Sequence, residues 1–535
     1  MRYKKIARLK ANSAAQVITT RVLLGGMFHN LSIVLRLSNA APSASCCYAI
    51  DFCVLSIGRT RSTKETMRLP GPVTGLAVVV LFSVIGSAQS QSSVPDFSAA
   101  RDEALKILEG LVRIDTSNPP GNETRTAQYI KAVLDAESIP AEILELQPGR
   151  GNIIARIHGN GSKKPLLLMG HLDVVGVERD KWTLDPFAGI VKEGYIYGRG
   201  ASDDKGMVSA CLEVFLQLHR LKVPLDRDVI FLAEAGEEGT SKFGIDFMVE
   251  QHWDKIASEF ALNEGGSIHN ENGRINYVGV STTEKVPRGF RLVAHGSSGH
   301  GSVPRLDNAI VHLAAAVAKV GKWQTPMRLN ETTRAFFSRL AQISSPEEAA
   351  LYRQVEHPQV QEKLRALKAP YYSMLRTSIV PTIIKGGFRS NVIPAEAEAT
   401  LDVRALPDED IPALAATMRR LINDSEIEVI PPSTPGRPAT PASSLDTEMF
   451  RALEAAQKKL FPGAITLPLM VTGATDSAQL RAKGVQAYGL GSVSTDQDRS
   501  RVHGNDERLS IEGLGKFVQF LYTAATDVAA SRRAR

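Results

Sequence analysis

The order of apolar runs predicts an α/β protein in two parts: a layered domain with a mostly parallel central sheet flanked by helices, and an inserted ferredoxin-like domain of order β-α-β-β-α-β. Three observations predict it. Between about residues 92 and 285, short and continuously apolar runs alternate with helical ones, as strands buried on both faces do. From Val286 the order changes to strand, helix, two strands, helix and strand. A Pro-rich stretch, PPSTPGRPATPASS, then leads back to the first domain, which is therefore split in sequence.

Residues 1–66 show no globular pattern and are expected to be a leader, or an extension from a start placed too far upstream. The segment from Met67, MRLPGPVTGLAVVVLFSVIGSAQSQ, has a basic start, an apolar stretch from Val73 to Ile85 and the small residues Gly86-Ser87-Ala88. That is the build of a secretory signal, so residues 67–91 are expected to be signal and linker and the protein to be exported. The stretch is shorter than the ~20 residues of a membrane span, so no stable span is expected once it is removed.

The first folded part, residues 92–285, opens with FSAARDEALKILEGLVRI, where Ala104, Leu105, Leu108 and Leu111 fall at helical spacing. The strands AEILELQ, NIIARIHG, PLLLMG and DVIFLAEAG and the helix GMVSACLEVFLQLHRL follow. Residues 286–431 hold the inserted domain: RGFRLVAHG, NAIVHLAAAVAKVGKW, VPTIIKGG, EATLDVRALP, DIPALAATMRRLIN and EIEVIPP. A charged, helical insertion from about Glu331 to Arg376 interrupts it, and residues 432–535 complete the split domain.

Charge and cysteine usage exclude some functions. Residues 1–66 carry ten Lys/Arg against two Asp/Glu, which leaves −2 of the net +6 for the remainder. The folded part therefore lacks a basic nucleic-acid footprint. Cys46, Cys47 and Cys53 lie in the first segment and Cys211 alone in the body, in an apolar helical run where it reads as core.

Five metal-seeking residues stand in order at the ends of apolar runs: His171 in LLLMGHLDVV, Asp203 in YGRGASDDKG, Glu238 in IFLAEAGEEG, Glu264 in FALNEGG and His503 in RVHGNDERL. Two imidazoles and three carboxylates suit Zn²⁺ or its neighbours. Five ligands exceed what one tetrahedral ion needs, so one carboxylate is expected to bridge two ions. His171 and Asp173, two apart at a strand end, project to one side, and Asp173 is expected to accept the free imidazole N–H. Glu237 is adjacent to Glu238 and directed elsewhere, so one of the pair can bind metal while the other orients a ligand or works as a general base. GRGASDDKG has neither the GxxxxGK[ST] nor the GxGxxG spacing of phosphate loops.

In GHLDVV, W-T-L-D-P-F, YGRGASDDKG, EAGEEG, NEGG, GSSGHGSVP, SNVIPAEAEATLDVRALP, GATDS and VHGNDERL, over roughly residues 100–530, the chain resembles the zinc-dependent aminoacylase and carboxypeptidase family of metallopeptidases. That family includes glutamate carboxypeptidase, succinyl-diaminopimelate desuccinylase, aminoacylase and carboxypeptidase S. Gly176 departs from it, standing where many relatives have Pro. The resemblance implies a split catalytic domain with an inserted lid/dimerisation domain and two Zn²⁺ per subunit, with Co²⁺ or Mn²⁺ as substitutes. His171, Asp203 and Glu264 would hold one ion and Asp203, Glu238 and His503 the other, with Glu237 as general base and Asp173 as the carboxylate behind His171. Of the two aspartates in SDDK, the resemblance picks Asp203 as the bridge, and it implies a cis peptide between Asp203 and Asp204. It implies that His300, Asn391 and Arg404 hold the scissile carbonyl and the substrate carboxylate, and that Gly473 and Thr475 belong to a loop over the substrate. The resulting expectation is a hydrolase of an amide or peptide bond in a small substrate with a free carboxylate, carboxypeptidase- or dipeptidase-like, compatible with a homodimer through the lid. An N-acyl-amino-acid deacylase is the alternative, and a non-catalytic binding protein on the same fold stands third.

Overall fold

The computed structural model describes residues 94–531 apart from residue 435, and the backbone alone of residues 15–24, 27–36 and 51–57. The signal and linker expected at 67–91 fall outside the described residues. The chain divides into two units, residues 1–90 and 91–535.

The first unit contains strands β1 (Ala15–Leu24), β2 (Met27–Arg36) and β3 (Asp51–Ile57), paired antiparallel in that order. This differs from the patternless reading of residues 1–66. The runs QVITTRV and LSIVLRL are rich in β-branched residues, which suit a pleated surface, although no strict alternation announces them.

The second unit is built on a ten-stranded sheet. Its middle is parallel: β20 (Gln486–Gly489), β10 (Phe260–Asn263), β6 (Leu166–His171) and β9 (Val229–Glu234). Beyond β9, β5 (Gly151–Ile157) and β4 (Ala141–Glu145) continue it antiparallel. On the other side β12 (Arg274–Glu284) pairs with β20, with β11 (Ser267–Glu271) and with β19 (Ile465–Val471), and β21 (Val493–Ser494) lies beside β11.

Every residue of β6, β9 and β10 is buried, because helices cover both faces. Leu166 and Leu168 enter one core with the helices at Phe97–Val112, Lys205–Arg220 and Ile511–Ala529, while Leu167 and Met169 enter another with Ile245–Gln251. Cys211 is free and buried in the first core. A small antiparallel sheet of β7 (Ile190–Lys192), β8 (Tyr195–Tyr197) and β22 (Arg508–Ser510) joins the two halves of the split domain.

The inserted domain is antiparallel. Strands β13 (Val286–His295), β15 (Ser378–Gly386), β17 (Glu396–Ala405) and β18 (Ile427–Ile430) run in the order β15-β17-β13-β18, with the helices Ala309–Lys322 and Ile411–Ile422 packed on one face. In β17 the alternation is regular: Ala397, Ala399, Leu401, Val403 and Ala405 are buried, and Asp402 and Arg404 lie on the opposite face. A short pair, β14 (Gly299–His300) and β16 (Val392–Ile393), stands beside this sheet. Residues 331–376 form four helices that pack through Phe336, Phe337 and Leu340 onto Leu467 and Met470 of β19. They thus cover β19 in the first sheet. Among the described residues no helix is long and apolar enough to cross a membrane.

The chain crosses between the sheets at Lys285, which is fully buried. Its Nζ donates to Ser373 Oγ (3.0 Å) and Ser378 Oγ (3.1 Å). Burial, aided by Arg404 and Arg376, pushes its ammonium down to about 7. A lysine whose pKa is depressed on folding destabilises the native state most below that pKa, and the penalty fades as pH rises toward the unfolded value. Lys285→Met should therefore gain stability relative to wild type at pH 7 and lose that advantage by up to about 1.4 kcal/mol per pH unit between pH 7 and 10. Urea unfolding across that range measures it, and a difference independent of pH would refute this account of Lys285.

Candidate active site

Two loops at strand ends, each organised by a buried carboxylate, place the ligands. Asp173, just beyond β6, is fully buried. Its Oδ1 accepts the N–H groups of Gly236 and Glu237 (3.0 Å each), and its Oδ2 accepts the Glu238 N–H (3.1 Å) and the Asn118 amide (2.7 Å). Burial pushes the Asp173 carboxyl up, but the bonds with His171, Asn118 and the loop outweigh it and leave the group below its ordinary range. Gly236 is left-handed (φ +85°), and an added Cβ would lie 2.5 Å from Thr240 O, so the turn into Glu237 requires glycine.

Glu507 does the same for the other loop. It pairs with Arg199 (2.6 Å) and accepts the N–H groups of Gly200 (3.1 Å), Ser202 (2.8 Å) and Asp203 (3.0 Å). Arg199 Nη2 also donates to Gly504 O (2.8 Å), fixing the turn that carries His503, itself left-handed at φ 60°. The Asp203–Asp204 peptide is cis.

The five predicted ligands come together as two groups, His171–Asp203–Glu264 and Asp203–Glu238–His503, with the ligand atoms of each group within 4.8 Å of one another. His171 Nε2 lies 3.1 Å from Asp203 Oδ1, and His503 Nε2 lies 3.1 Å from Asp203 Oδ2 and 2.9 Å from Glu238 Oε1. The two oxygens of Asp203 thus face different histidines, the geometry a bridging ligand requires. Hydrogen bonds that His503 donates to the Asp203 and Glu238 carboxylates raise it to about 10. Burial pushes Glu264 and Asp204 well up. Asp204 is in neither group, and its Oδ2 accepts the His171 N–H (3.2 Å). The donor set of imidazole nitrogens and carboxylate oxygens fits divalent zinc and similar ions.

One expectation is corrected in detail. The acceptor closest to His171 Nδ1 is the backbone oxygen of Asp173 (3.0 Å), with the carboxylate at 3.5 Å. The carboxylate is taken up by the 236–238 loop. Either acceptor leaves Nε2 facing the metal position.

Glu237 sits in the same loop. Burial pushes its carboxyl up to about 8 against the pull of Arg437, whose Nη2 donates to Oε1 at 2.6 Å. Arg437 also contacts Asp476 (2.6 Å), which is buried near Glu234. Sequence reasoning passed over Arg437 because it lies in the Pro-rich return segment, and over Asn118, which no motif marks.

The structure treats the predicted substrate residues unequally. Thr475 is buried and tied to Glu284 through its N–H (2.9 Å) and Oγ1 (2.8 Å), and its Cγ2 is 3.3 Å from where a Cβ on Gly265 would lie. Gly473 lies in the same loop, and an added Cβ there would meet only Val471. His300 and Asn391 come together on the inserted domain, where the Gly301 N–H donates to Asn391 O (2.9 Å). Both are exposed. His300 Nδ1 accepts the Ser302 N–H (3.1 Å), so the neutral ring carries its proton on Nε2. Arg404 pairs with Asp402 (2.9 Å) on the open face of the inserted sheet.

Two such histidine–carboxylate groups sharing one aspartate, with a further carboxylate alongside, are the kind of arrangement that two-metal hydrolases use. The chain belongs to peptidase family M20/M25/M40, whose family model matches residues 167–527. It is 31% identical over 372 residues to the probable carboxypeptidase S-like 2 of Dictyostelium discoideum, covering 68% of this chain and 71% of the relative. It is 27% identical over 466 residues to the human N-fatty-acyl-amino acid synthase/hydrolase PM20D1, covering 82% and 90%. The fold is similar to that of the M20 family metallo-carboxypeptidase Sso-CP2 from Sulfolobus solfataricus, with a TM-score of 0.62 at 20% identity over 79% of this chain and 98% of that one.

The shared aspartate separates two outcomes. Asp203→Ala should deplete both metal positions and His503→Ala one, read by elemental analysis of protein loaded with Zn²⁺. Full occupancy in Asp203→Ala would move the bridge elsewhere.

Proposed function

We propose that the protein is a dinuclear zinc hydrolase cleaving the amide or peptide bond of a small substrate with a free carboxylate, and that Co²⁺ or Mn²⁺ can replace Zn²⁺. The observation that carries this is Asp203 facing both histidines with Glu237 beside it. His171, Asp203 and Glu264 would hold one ion and Asp203, Glu238 and His503 the other; when bound, the ions supply Lewis acidity and lower the pKa of coordinated water. Glu237 takes the proton of the attacking water and returns it to the leaving amine, a role that a carboxyl held near neutrality suits. The Nε2–H of His300 is free to donate to the developing oxyanion once the inserted domain brings it near. Arg404 offers a planar fork to a substrate carboxylate once its pairing with Asp402 yields.

Hydrolysis of N-acyl amino acids is the second reading. The relation to PM20D1 over most of both chains favours it, as do Val303, Leu306 and Phe388, exposed apolar residues on the loops flanking His300 and Asn391. The inserted domain also suits a homodimer: β15 is an edge strand exposing Val380, Ile383 and Ile384 beside Ile310 and Val311, and the 331–376 helices pack elsewhere. Export through the segment at Met67 remains part of the proposal.

A turnover screen of dipeptides against N-acyl amino acids with Zn²⁺, Co²⁺ and Mn²⁺ separates the two substrate readings, and no metal-dependent turnover of either class would leave only a binding role. Glu237→Ala should keep both metals and lose roughly 10²–10⁴-fold in kcat. His300→Ala should lose roughly 10²–10³-fold in kcat with metals retained, whereas a rise in KM alone would make it a substrate-positioning residue.

A further inference from the structure

Arg437 lies in the Pro-rich segment that returns the chain from the inserted domain, where a linker was expected, yet its guanidinium enters the site. Nη2 donates to Glu237 Oε1 (2.6 Å) and to the Glu237 backbone oxygen (3.3 Å), and Nη1 donates to Asp476 Oδ1 (2.6 Å). The side chain is mostly buried, at 14% exposure, against 10% for Glu237 and 1% for Asp476. The residue is held from behind as well: Arg288 Nη1, at the start of β13, donates to Arg437 O (3.0 Å).

We propose that Arg437 is a positioning residue for the general base, a clamp that fixes the Glu237 carboxylate by one oxygen and leaves the other to meet the attacking water. The proposal rests on the reading of Glu237 as the base. Three features point to it. The fork spans two carboxylates from different loops, which a planar guanidinium can do and an ammonium does poorly. One partner, Asp476, belongs to the loop carrying Gly473 and Thr475, so the clamp registers that loop against the base. The Arg288 bond ties the clamp to the first strand of the inserted domain, so a change in that domain's position is felt at Glu237. A misdirected base is costly, because displacement of a reacting group by about 1 Å reduces rates by roughly 10²-fold.

The test uses the full metal-loaded chain and the best substrate of the screen. Arg437→Met should lower kcat by roughly 10–100-fold while KM stays within about two-fold and metal content is unchanged. Arg437→Lys should recover part of the loss, since it keeps a cation but bridges only one carboxylate. If Arg437→Met does not fold, Arg437→Lys decides alone, with lowered kcat at constant KM expected. Wild-type kcat in the folded variants overturns the proposal. So does a loss that appears in KM and vanishes when the substrate carboxylate is amidated, because Arg437 would then read the substrate. Glu237→Gln is measured alongside: full activity there refutes the base assignment itself, a result distinct from an intact base with a dispensable clamp.

Discussion

The geometry of this site depends on a carboxylate that is assigned no metal. Asp173, buried at the end of β6, gathers three consecutive N–H groups from the loop after β9 and the amide of Asn118. A buried charge is expensive unless fully hydrogen-bonded, and four donors offset that cost here. In satisfying itself, Asp173 sets the directions in which Glu237 and Glu238 leave the backbone, and its own carbonyl fixes the ring of His171. Adjacent parallel strands thereby present one candidate ligand each, and Glu237, at defined angles. Glu507 repeats the device for Asp203 and, through Arg199, for His503. This explains how ligands more than 300 residues apart in sequence share one centre: each arrives on a loop whose backbone donors are already committed.

The sequence made much of this legible because the ligands sit where apolar strands end, and open parallel sheets place sites at those ends. The strand expected in EATLDVRALP and the helical spacing in FSAARDEALKILEGLVRI marked elements that the structure reproduces. Failures have physical reasons too. Arg437 was invisible because its neighbours are Pro and Gly, whose local signal is turn, while its partners lie 39 and 200 residues away. Asn118 was missed because a lone amide has no periodicity. The acceptor for His171 went to a backbone oxygen because spacing says which side a carboxylate faces and nothing about competing donors. Strands β1 to β3 lack the alternation by which a half-buried strand announces itself.

Electrostatics at Glu237 depend on a balance that neither burial nor pairing sets alone. Glu237 is nearly enclosed among Asp476, Glu238 and other acids, so desolvation and like charge both favour its neutral form. Arg437 opposes them. A carboxyl left wholly to burial would be a poor acceptor at neutral pH, and one held by a free ion pair would be a poor donor to an amine afterwards. The intermediate state suits the role proposed for Glu237, which takes up a proton and then gives it back.

The two crossings between the sheets meet close to this machinery. On the outgoing strand, Glu284 accepts from Thr475 and Arg481, and the next residue, Lys285, is buried against serines from the helical insertion and β15. On the return, Ser443 donates to Thr282 O (2.8 Å) and Arg437 carries the clamp. Neither connection is a slack tether. The exposed His300 stands on the domain that these crossings carry, and they run through Glu284 and the Arg288–Arg437 contact. These contacts hold the 473–476 loop and the Glu237 side chain. The inserted domain and the Glu237 carboxylate are therefore joined through Arg437: a displacement of Arg288 acts on the residue that pairs with Glu237.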